Sequence, residues 1–372
     1  MRFYATCGFG MEAIVRDELK ELGIEVERVE DARIFFTGEM EDAIRANLWL
    51  RCADRVFLHL ADFPAVTFDE LFEGIRTVPI YEYVPYDGEI YVTGKGALSK
   101  LVSVRDMQSI GKKALSDTMM AHYRYPRCPE TGARYNVEIG MLRDVATIGL
   151  NLSGAGLNRR GYRDLSAKAP IRETLAAAMV YLARYDGTEI LLDPFCGSGT
   201  IAIEAAMMAS NTAPGRQRQF AFDGWEGWQQ AADVMRAEAD DLRREKGFAH
   251  IHASDIDRKM VTMTQRHAKR AGVNGFINTA VADVNRLHLP SESGVIVCNP
   301  PYGVRLEADR EAISALGRLK SENPRWGVFV ISEDKYLEKD FGDKANKKRK
   351  LYNGSIRCDL YMYFRRYRKF DG

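Results

Sequence analysis

Leu191-Leu192-Asp193-Pro194-Phe195-Cys196-Gly197-Ser198-Gly199-Thr200 is the stretch from which the fold of this 372-residue chain is read. Ile190 to Leu192 are a short apolar run of the kind that ends a buried strand. Asp193-Pro194 stops that strand, Gly197 and Gly199 permit a tight turn, and Thr200 is the expected N-cap of the helix Ile201-Ala202-Ile203-Glu204-Ala205-Ala206. A parallel strand, a glycine turn and a helix N-terminus together make a ligand seat at the carboxyl end of a sheet. The glycines let a ligand come close to the backbone, and Asp193 offers it a carboxylate. A strand-turn-helix that binds nothing leaves the Gly-Ser-Gly cluster unexplained.

Working outward, the same pattern repeats downstream. A strand from His250 to Ser254 runs into the acidic turn Asp255-Ile256-Asp257 and the helix Arg258 to Ala271. Further strands are expected at Ile277 to Val281, followed by Asp283, at Gly294 to Cys298, closed by Asn299-Pro300-Pro301-Tyr302, and at Trp326 to Ser332. A helix from about Arg310 to Lys320 separates the last two, and a charged helix from about Gln229 to Lys246 precedes them. The end reads as a hairpin, Lys350 to Tyr352 and Ile356 to Phe364 about Asn353-Gly354. Strands alternating with helices predict a parallel doubly wound sheet with an antiparallel hairpin at one edge.

Upstream, residues 2 to about 45 read as a compact α/β unit. Beyond it lie a strand at Val56 to Leu60, a helix at Phe68 to Val78, and a strand at Glu89 to Thr93 ending in Gly94-Lys95-Gly96. Ser103 is expected to cap a helix through about His122, and a hairpin is expected around Arg143-Asp144. This α/β module carries no catalytic constellation. Ser153-Gly154-Ala155-Gly156-Leu157-Asn158 is small and reads as a flexible boundary, with Pro170 opening the helix Arg172 to Tyr185.

The bulk properties bound the answer. The length calls for two or three domains, and 46% hydrophobic with 28% charged residues describe a soluble globular protein. Six scattered cysteines without a C-x-x-C argue against a zinc site or a disulfide framework. There is no apolar leader and no run near the roughly 20 apolar residues of a membrane span. A cytoplasmic protein with neither metal nor membrane as a partner is expected. The net charge of +1 hides an uneven distribution: Lys344 to Lys369 hold ten Lys or Arg against the single acid Asp359. Arg159-Arg160-Gly161-Tyr162-Arg163 is a second basic cluster. Such patches fit a polyanion on one face, and equally a solvated surface.

Asp193, Asp255 and Asp283 end three successive strands, where a crevice ligand would sit. Gly197-Ser198-Gly199-Thr200-Ile201-Ala202 nominally fits the dinucleotide fingerprint, although the acid that would take the ribose comes far too late. No Lys follows the turn, which excludes a Walker loop. Asn299-Pro300-Pro301-Tyr302 decides the chemistry. Two prolines after a buried strand remove two N–H groups and leave carbonyls free to accept. Asn299 adds a side-chain carbonyl, a pair of converging acceptors suits a planar –NH2 group, and Tyr302 offers a surface on which a base stacks.

These two motifs resemble those of class I S-adenosylmethionine-dependent amino-methyltransferases. With Gly161-Tyr162-Arg163, Ala169 to Ala177, Asn299 to Arg305 and Asn353-Gly354…Cys358, nearly the whole chain resembles the THUMP-domain RNA guanine-N2 methyltransferases, closest to the bacterial 23S rRNA type. Val304 stands where these relatives often carry Glu. The resemblance implies a Rossmann-like class I methyltransferase sheet over 156–372, behind a ferredoxin-like segment at 1–45 and a THUMP RNA-binding domain at 46–155. It places Asp193, Pro194, Cys196, Gly197, Ser198 and Gly199 around the methionine end of S-adenosylmethionine. Asp255 would hold the ribose hydroxyls, Ile256 would also touch the cofactor, and Asp283 would accept from the adenine amine. Asn299 and Pro300, flanked by Pro301 and Tyr302, would hold the guanine N2 amine, with Asn299 also touching the cofactor. Arg159, Arg160, Arg163, Lys347, Lys348 and Arg349 would track RNA phosphates. Ribosomal RNA is favoured and tRNA stays open. The alternatives are another –NH2 substrate such as DNA adenine or a protein glutamine, a nonenzymatic RNA-binding assembly factor and, more distantly, a nicotinamide oxidoreductase.

Overall fold

Two seven-stranded sheets organise the chain in the computed structural model, which describes residues 1–163, 171–244, 250–301 and 307–366. The first is built from β1 (Arg2–Cys7), α1 (Glu12–Glu21), β2 (Glu25–Glu30), β3 (Arg33–Thr37), α2 (Met40–Trp49) and β4 (Ala53–Pro64). It continues through α3 (Phe68–Arg76), β5 (Glu89–Ala97), α4 (Val104–Tyr123), β6 (Arg134–Leu142) and β7 (Val145–Asn151). Its strand order is β2-β3-β1-β4-β7-β6-β5. The twelve-residue β4 pairs with β1 along its first half and with β7 along its second, so residues 2–151 share one sheet. Residue 45 falls inside α2.

This half differs from the sequence expectation at β4, which spans more than Val56 to Leu60, at β5 and at the segment 153–158. β5 continues through Gly94 and Gly96 to Ala97, because parallel pairing with β6 supplies partners for the glycine backbone. The segment 153–158 is anchored rather than flexible. Ser153 is buried and bridges Val56 N and the Asn47 side chain, while Arg218 donates to the carbonyls of Ser153, Ala155 and Gly156. A stretch of small residues is compatible with tight packing as well as with a hinge, and here the carbonyls have a buried guanidinium to accept from.

The second sheet starts after α5 (Glu173–Leu182) with β8 (Leu191–Asp193), α6 (Thr200–Ala209), α7 (Gln229–Asp241), β9 (Ile251–Asp255), α8 (Arg258–Ala271) and β10 (Ile277–Val281). Then come β11 (Gly294–Cys298), α9 (Glu307–Glu322), β12 (Trp326–Ser332), α10 (Leu337–Phe341), β13 (Lys347–Asn353) and β14 (Ile356–Tyr363). The order is β10-β9-β8-β11-β12-β14-β13, parallel up to β12 and antiparallel in the final hairpin. All of β11 and β12 is buried, as expected for central strands covered on both faces. From β8 the chain winds one way to β9 and β10 and later the other way to β11 and β12. The switch point, where crevice ligands bind in such sheets, therefore lies between β8 and β11.

The two halves share a continuous hydrophobic core. Trp225 stacks on Tyr135 at 4.6 Å and donates to Arg134 O, and Gly215 lies so close to Asn47 and Leu48 that a Cβ would clash. Among the described residues no helix is long and apolar enough to cross a membrane.

Candidate active site at the carboxyl edge of the second sheet

The turn from Asp193 to Gly199 is fixed by backbone bonds and by side chains from neighbouring elements. Cys196 N donates to Ser254 O on β9 at 2.9 Å, and Gly199 N closes on Cys196 O at 2.7 Å. Gly197 (φ +52°) and Gly199 (φ +86°) occupy left-handed backbone that L-residues resist. Gly199, not Thr200, is the N-cap of α6. Thr200 is already helical, and its hydroxyl accepts from Arg163 Nη2 at 2.5 Å. Behind the turn, two fully buried residues of α8 hold its carbonyls: Thr264 Oγ1 donates to Gly197 O at 2.9 Å, and His267 Nδ1 lies 3.0 Å from Ser198 O. A Cβ on Gly199 would lie 2.7 Å from Thr264 Cγ2, whereas one on Gly197 would meet nothing within 4 Å. The turn is thus pinned on one side and open on the other, the arrangement needed for a ligand to reach the backbone.

Thr264 and His267 were not expected from the sequence. Their signal was a polar pair, three residues apart, interrupting the apolar stripe Val261, Ala268 and Ala271 of an amphipathic helix.

The carboxylates stand on adjacent strands. Asp193 is 1% exposed at the end of β8 and accepts from Phe195 N. Burial pushes its carboxyl up to about 8, the charge of Asp255 adds to the rise, and the Phe195 N–H opposes it. Asp255, ending β9, accepts from Gly197 N at 3.0 Å and Asp257 N at 2.9 Å, so it ties the glycine turn to the next strand. Asp283, just past β10, accepts from the backbone and side chain of Asn285. Ile256 is 72% exposed between the acids of its turn, a large apolar side chain left open at this edge. Cys196 packs against Thr264, and burial pushes its thiol up. Ser198 is buried, its hydroxyl 3.5 Å from that of Thr200.

Asn299 follows β11 directly. The β8–β11 register, Leu191 to Val295 and Leu192 to Ile296, carries it past the strand end to the level of the glycine turn. Its Oδ1 is buried and has no hydrogen-bond partner among the described residues. An unmatched buried acceptor costs about 1–3 kcal/mol, so it marks a place where the described residues supply no donor. Pro300 is buried and Pro301 exposed. Tyr302, Val304 and Arg305, like Ala169-Pro170, Lys246 and the basic tail past Arg366, lie outside the described residues.

The expected phosphate contacts divide. Arg159 and Lys347 are exposed, and Lys348 pairs with Glu338 at the surface. Arg160 requires a correction: it is 3% exposed, pairs with Glu204 of α6 at 3.3 Å, and donates to Leu157 O and Arg51 O, so no phosphate reaches it. Arg163 is spent on Glu173, Ile171 O and Thr200, and Arg349 donates twice to Gly10 O. A run of arginines reads alike whether it faces solvent or an interior acid 44 residues away.

A sheet of this order, with a glycine turn and acids on neighbouring strand ends, has the architecture of the class I methyltransferases. The chain belongs to the family described as UPF0020, RMKL-like, methyltransferase domain, which matches residues 160–362, and residues 2–57 match the RlmL ferredoxin-like domain. The cofactor is therefore S-adenosylmethionine rather than a dinucleotide. YpsC of Bacillus subtilis (strain 168) is 40% identical over 98% of this chain and 96% of its own length. The ribosomal RNA large subunit methyltransferase K/L of Psychromonas ingrahamii is 32% identical over 98% of this chain and 50% of its own. The chain thus spans about half the length of the K/L relatives. Among solved structures, SMU.472, complexed with SAH, is 35% identical with a TM-score of 0.92 over 99% of both chains. A Listeria monocytogenes str. 4b F2365 protein described as a predicted N6-adenine-specific DNA methylase is 40% identical, with a TM-score of 0.92 over 98% of this chain and 96% of its own.

Proposed function

We propose that this protein methylates the exocyclic N2 amine of a guanosine in RNA, with large-subunit ribosomal RNA as the substrate. The observation that carries the reading is the buried Oδ1 of Asn299, which has no partner among the described residues and stands beside a proline that has no N–H to offer it. An –NH2 group supplies the missing donor. The names of the K/L relatives support ribosomal RNA as the source of that amine. Residues 46–155, following the segment 1–45, are read as a THUMP unit that brings RNA to the methyltransferase domain.

When bound, S-adenosylmethionine supplies an electrophilic sulfonium methyl. The chain's own residues do the rest. Asp193, Gly197 and Gly199 would receive the amino-acid end of the donor, Asp193 offering its carboxyl to the ammonium. Asp255 would take the ribose hydroxyls, Ile256 would cover the adenine, and Asp283 would accept from the adenine amine. Asn299 Oδ1 and the Pro300 carbonyl each accept one N–H of the guanine amine. Its lone pair, ordinarily drawn into the ring, is thereby turned toward the methyl carbon, and this positioning is worth several kcal/mol. No strong base is needed, because the amine becomes acidic as the new bond forms and its proton can leave to water. A guanine in a helix has to be unstacked first.

The Listeria relative's name and the Asn-Pro-Pro-Tyr pattern keep a second reading in view, an adenine N6 amine held by the same acceptors. Labelled S-adenosylmethionine is offered with unmodified ribosomal RNA, tRNA and DNA, and the products are digested to nucleosides. N2-methylguanosine from ribosomal RNA is the expected product; N6-methyladenosine, or label in DNA alone, contradicts the proposal.

A further inference from the structure

The glycine-flanked Phe9 is 57% exposed, yet its loop is held firmly. Gly10 sits at φ +86°, and a Cβ there would lie 2.6 Å from Lys350 O. Its carbonyl accepts both Nε and Nη2 of Arg349, at 3.0 and 2.6 Å, and its N–H donates to Glu12 at 2.9 Å. The loop of the first sheet is thereby locked onto β13 of the second. Phe9 contributes little to either core. It stands edge-on to Tyr352 of β13, ring centroids 6.2 Å apart at 64°.

The position of this pair follows from the topology. β14 runs antiparallel to β12, with Ser332 opposite Asp359, so the tip of the β13–β14 hairpin projects from the same edge of the sheet as Asn299 and the glycine turn. Asn353 Oδ1 at that tip accepts from Arg172 N at 3.2 Å. Next to Arg172, Ile171 O accepts from the guanidinium that also donates to Thr200 at the head of α6. A short run of bonds therefore links the aromatic pair to the cofactor turn. Cations surround it: Lys350 Nζ is 5.6 Å from the Tyr352 ring centre, Arg357 is the cross-strand partner of Tyr352, and the Arg172 residue is exposed.

The geometry points to a stacking platform for single-stranded RNA: Phe9 and Tyr352, one from each half of the molecule, hold an unpaired base flanking the target, while Lys350, Arg357 and Arg172 take the adjoining phosphates. This rests on the reading of RNA as the substrate. An exposed ring beside a half-buried one, rimmed by cations, suits an unpaired nucleotide, whose π-face and phosphate are met together. A rigid exposed ring, unlike a mobile one, loses no freedom on binding.

The test uses the full chain and a mixed-sequence single-stranded RNA oligonucleotide carrying 5-iodouridine. Irradiation is expected to crosslink the RNA to peptides containing Phe9 or Tyr352. The double variant Phe9→Ala/Tyr352→Ala is expected to weaken RNA binding about tenfold. Affinity for S-adenosylhomocysteine and the unfolding midpoint stay unchanged, and Phe9→Trp and Tyr352→Phe keep the RNA affinity. Unaltered RNA affinity in the double variant, with crosslinks elsewhere, overturns the platform. Methyl transfer to ribosomal RNA is measured alongside. If the wild type methylates RNA while the double variant has an unchanged KM for it, the platform fails and the proposed function stands. If the crosslinks map as expected but no RNA is methylated, the proposed function fails instead.

Discussion

Asp193 has a carboxyl that burial raises to about 8, so it is largely neutral at pH 7 in the protein alone. A raised acid stabilises the fold while protonated, and that contribution is lost as pH climbs from the ordinary carboxylate range toward 8. Pairing with the ammonium of the methyl donor reverses the preference. Binding of S-adenosylhomocysteine should therefore release a proton below pH 8, with affinity rising by up to about tenfold per pH unit and levelling above 8. Calorimetry in buffers of different ionisation enthalpy measures this directly, and Asp193→Asn should flatten the profile. A flat profile in the wild type would mean that no cation meets this carboxyl. The two glycines separate by the same logic. Gly199→Ala drives a Cβ into Thr264 at φ +86° and should lower stability by about 1–3 kcal/mol in a denaturant titration. Gly197→Ala meets open space and should leave most of the stability while closing the ligand's approach, so its loss shows in cofactor affinity. What a single residue does was only partly legible in the sequence. The Gly-Ser-Gly turn announced itself because few other residues tolerate its backbone. Thr264 and His267, which hold that turn from behind, are ordinary residues of a helix until the fold brings them there.

At the scale of elements, the fully buried strands were the most legible part. β11 and β12 are continuous apolar runs bounded by turn residues, and their limits match the expectation. β4 was read only from Val56 to Leu60, because its ends, Ala53–Arg55 and Ala61–Pro64, hold charged residues and a proline that interrupt the apolar run. β5 was cut at its glycines, whose pairing with β6 lies some 45 residues away along the chain. The arginine run at Arg159–Arg163 misled for a related reason, since its partner Glu204 lies on another element. That pair ties α6, the helix behind the cofactor turn, to the chain leaving the first sheet. With side chains 2% and 0% exposed, removing one partner leaves a buried charge alone. Arg160→Met should cost about 3–5 kcal/mol of stability, and Arg160→Met/Glu204→Leu should recover much of it. Denaturant midpoints of the two variants decide; equal losses would contradict the argument.

For the molecule as a whole, the sequence suggested separable modules joined by a small-residue linker, and the structure joins them tightly. The Arg218 clamp on the segment 153–158, the Trp225–Tyr135 stack and the Arg349–Gly10 lock leave little freedom between the sheets. Interfaces are hard to foresee because their residues look like ordinary loop residues in each half. Thermal unfolding followed by near- and far-ultraviolet circular dichroism should give one coincident transition; two separated transitions would contradict such close coupling. A rigid pairing would also fix the distance from the first sheet to the carboxyl edge of the second.

The most direct test is methyl transfer by wild type and Asn299→Ala to ribosomal RNA from cells lacking the gene, with nucleoside identification and binding of S-adenosylhomocysteine measured in parallel. The account predicts N2-methylguanosine from the wild type. For the variant it predicts turnover lowered by about two to three orders of magnitude with most of the cofactor affinity retained, because the lost acceptor orients the amine while Asp193, Asp255 and Asp283 would still hold the donor. An Asn299→Ala enzyme that still forms N2-methylguanosine at the wild-type rate would contradict it.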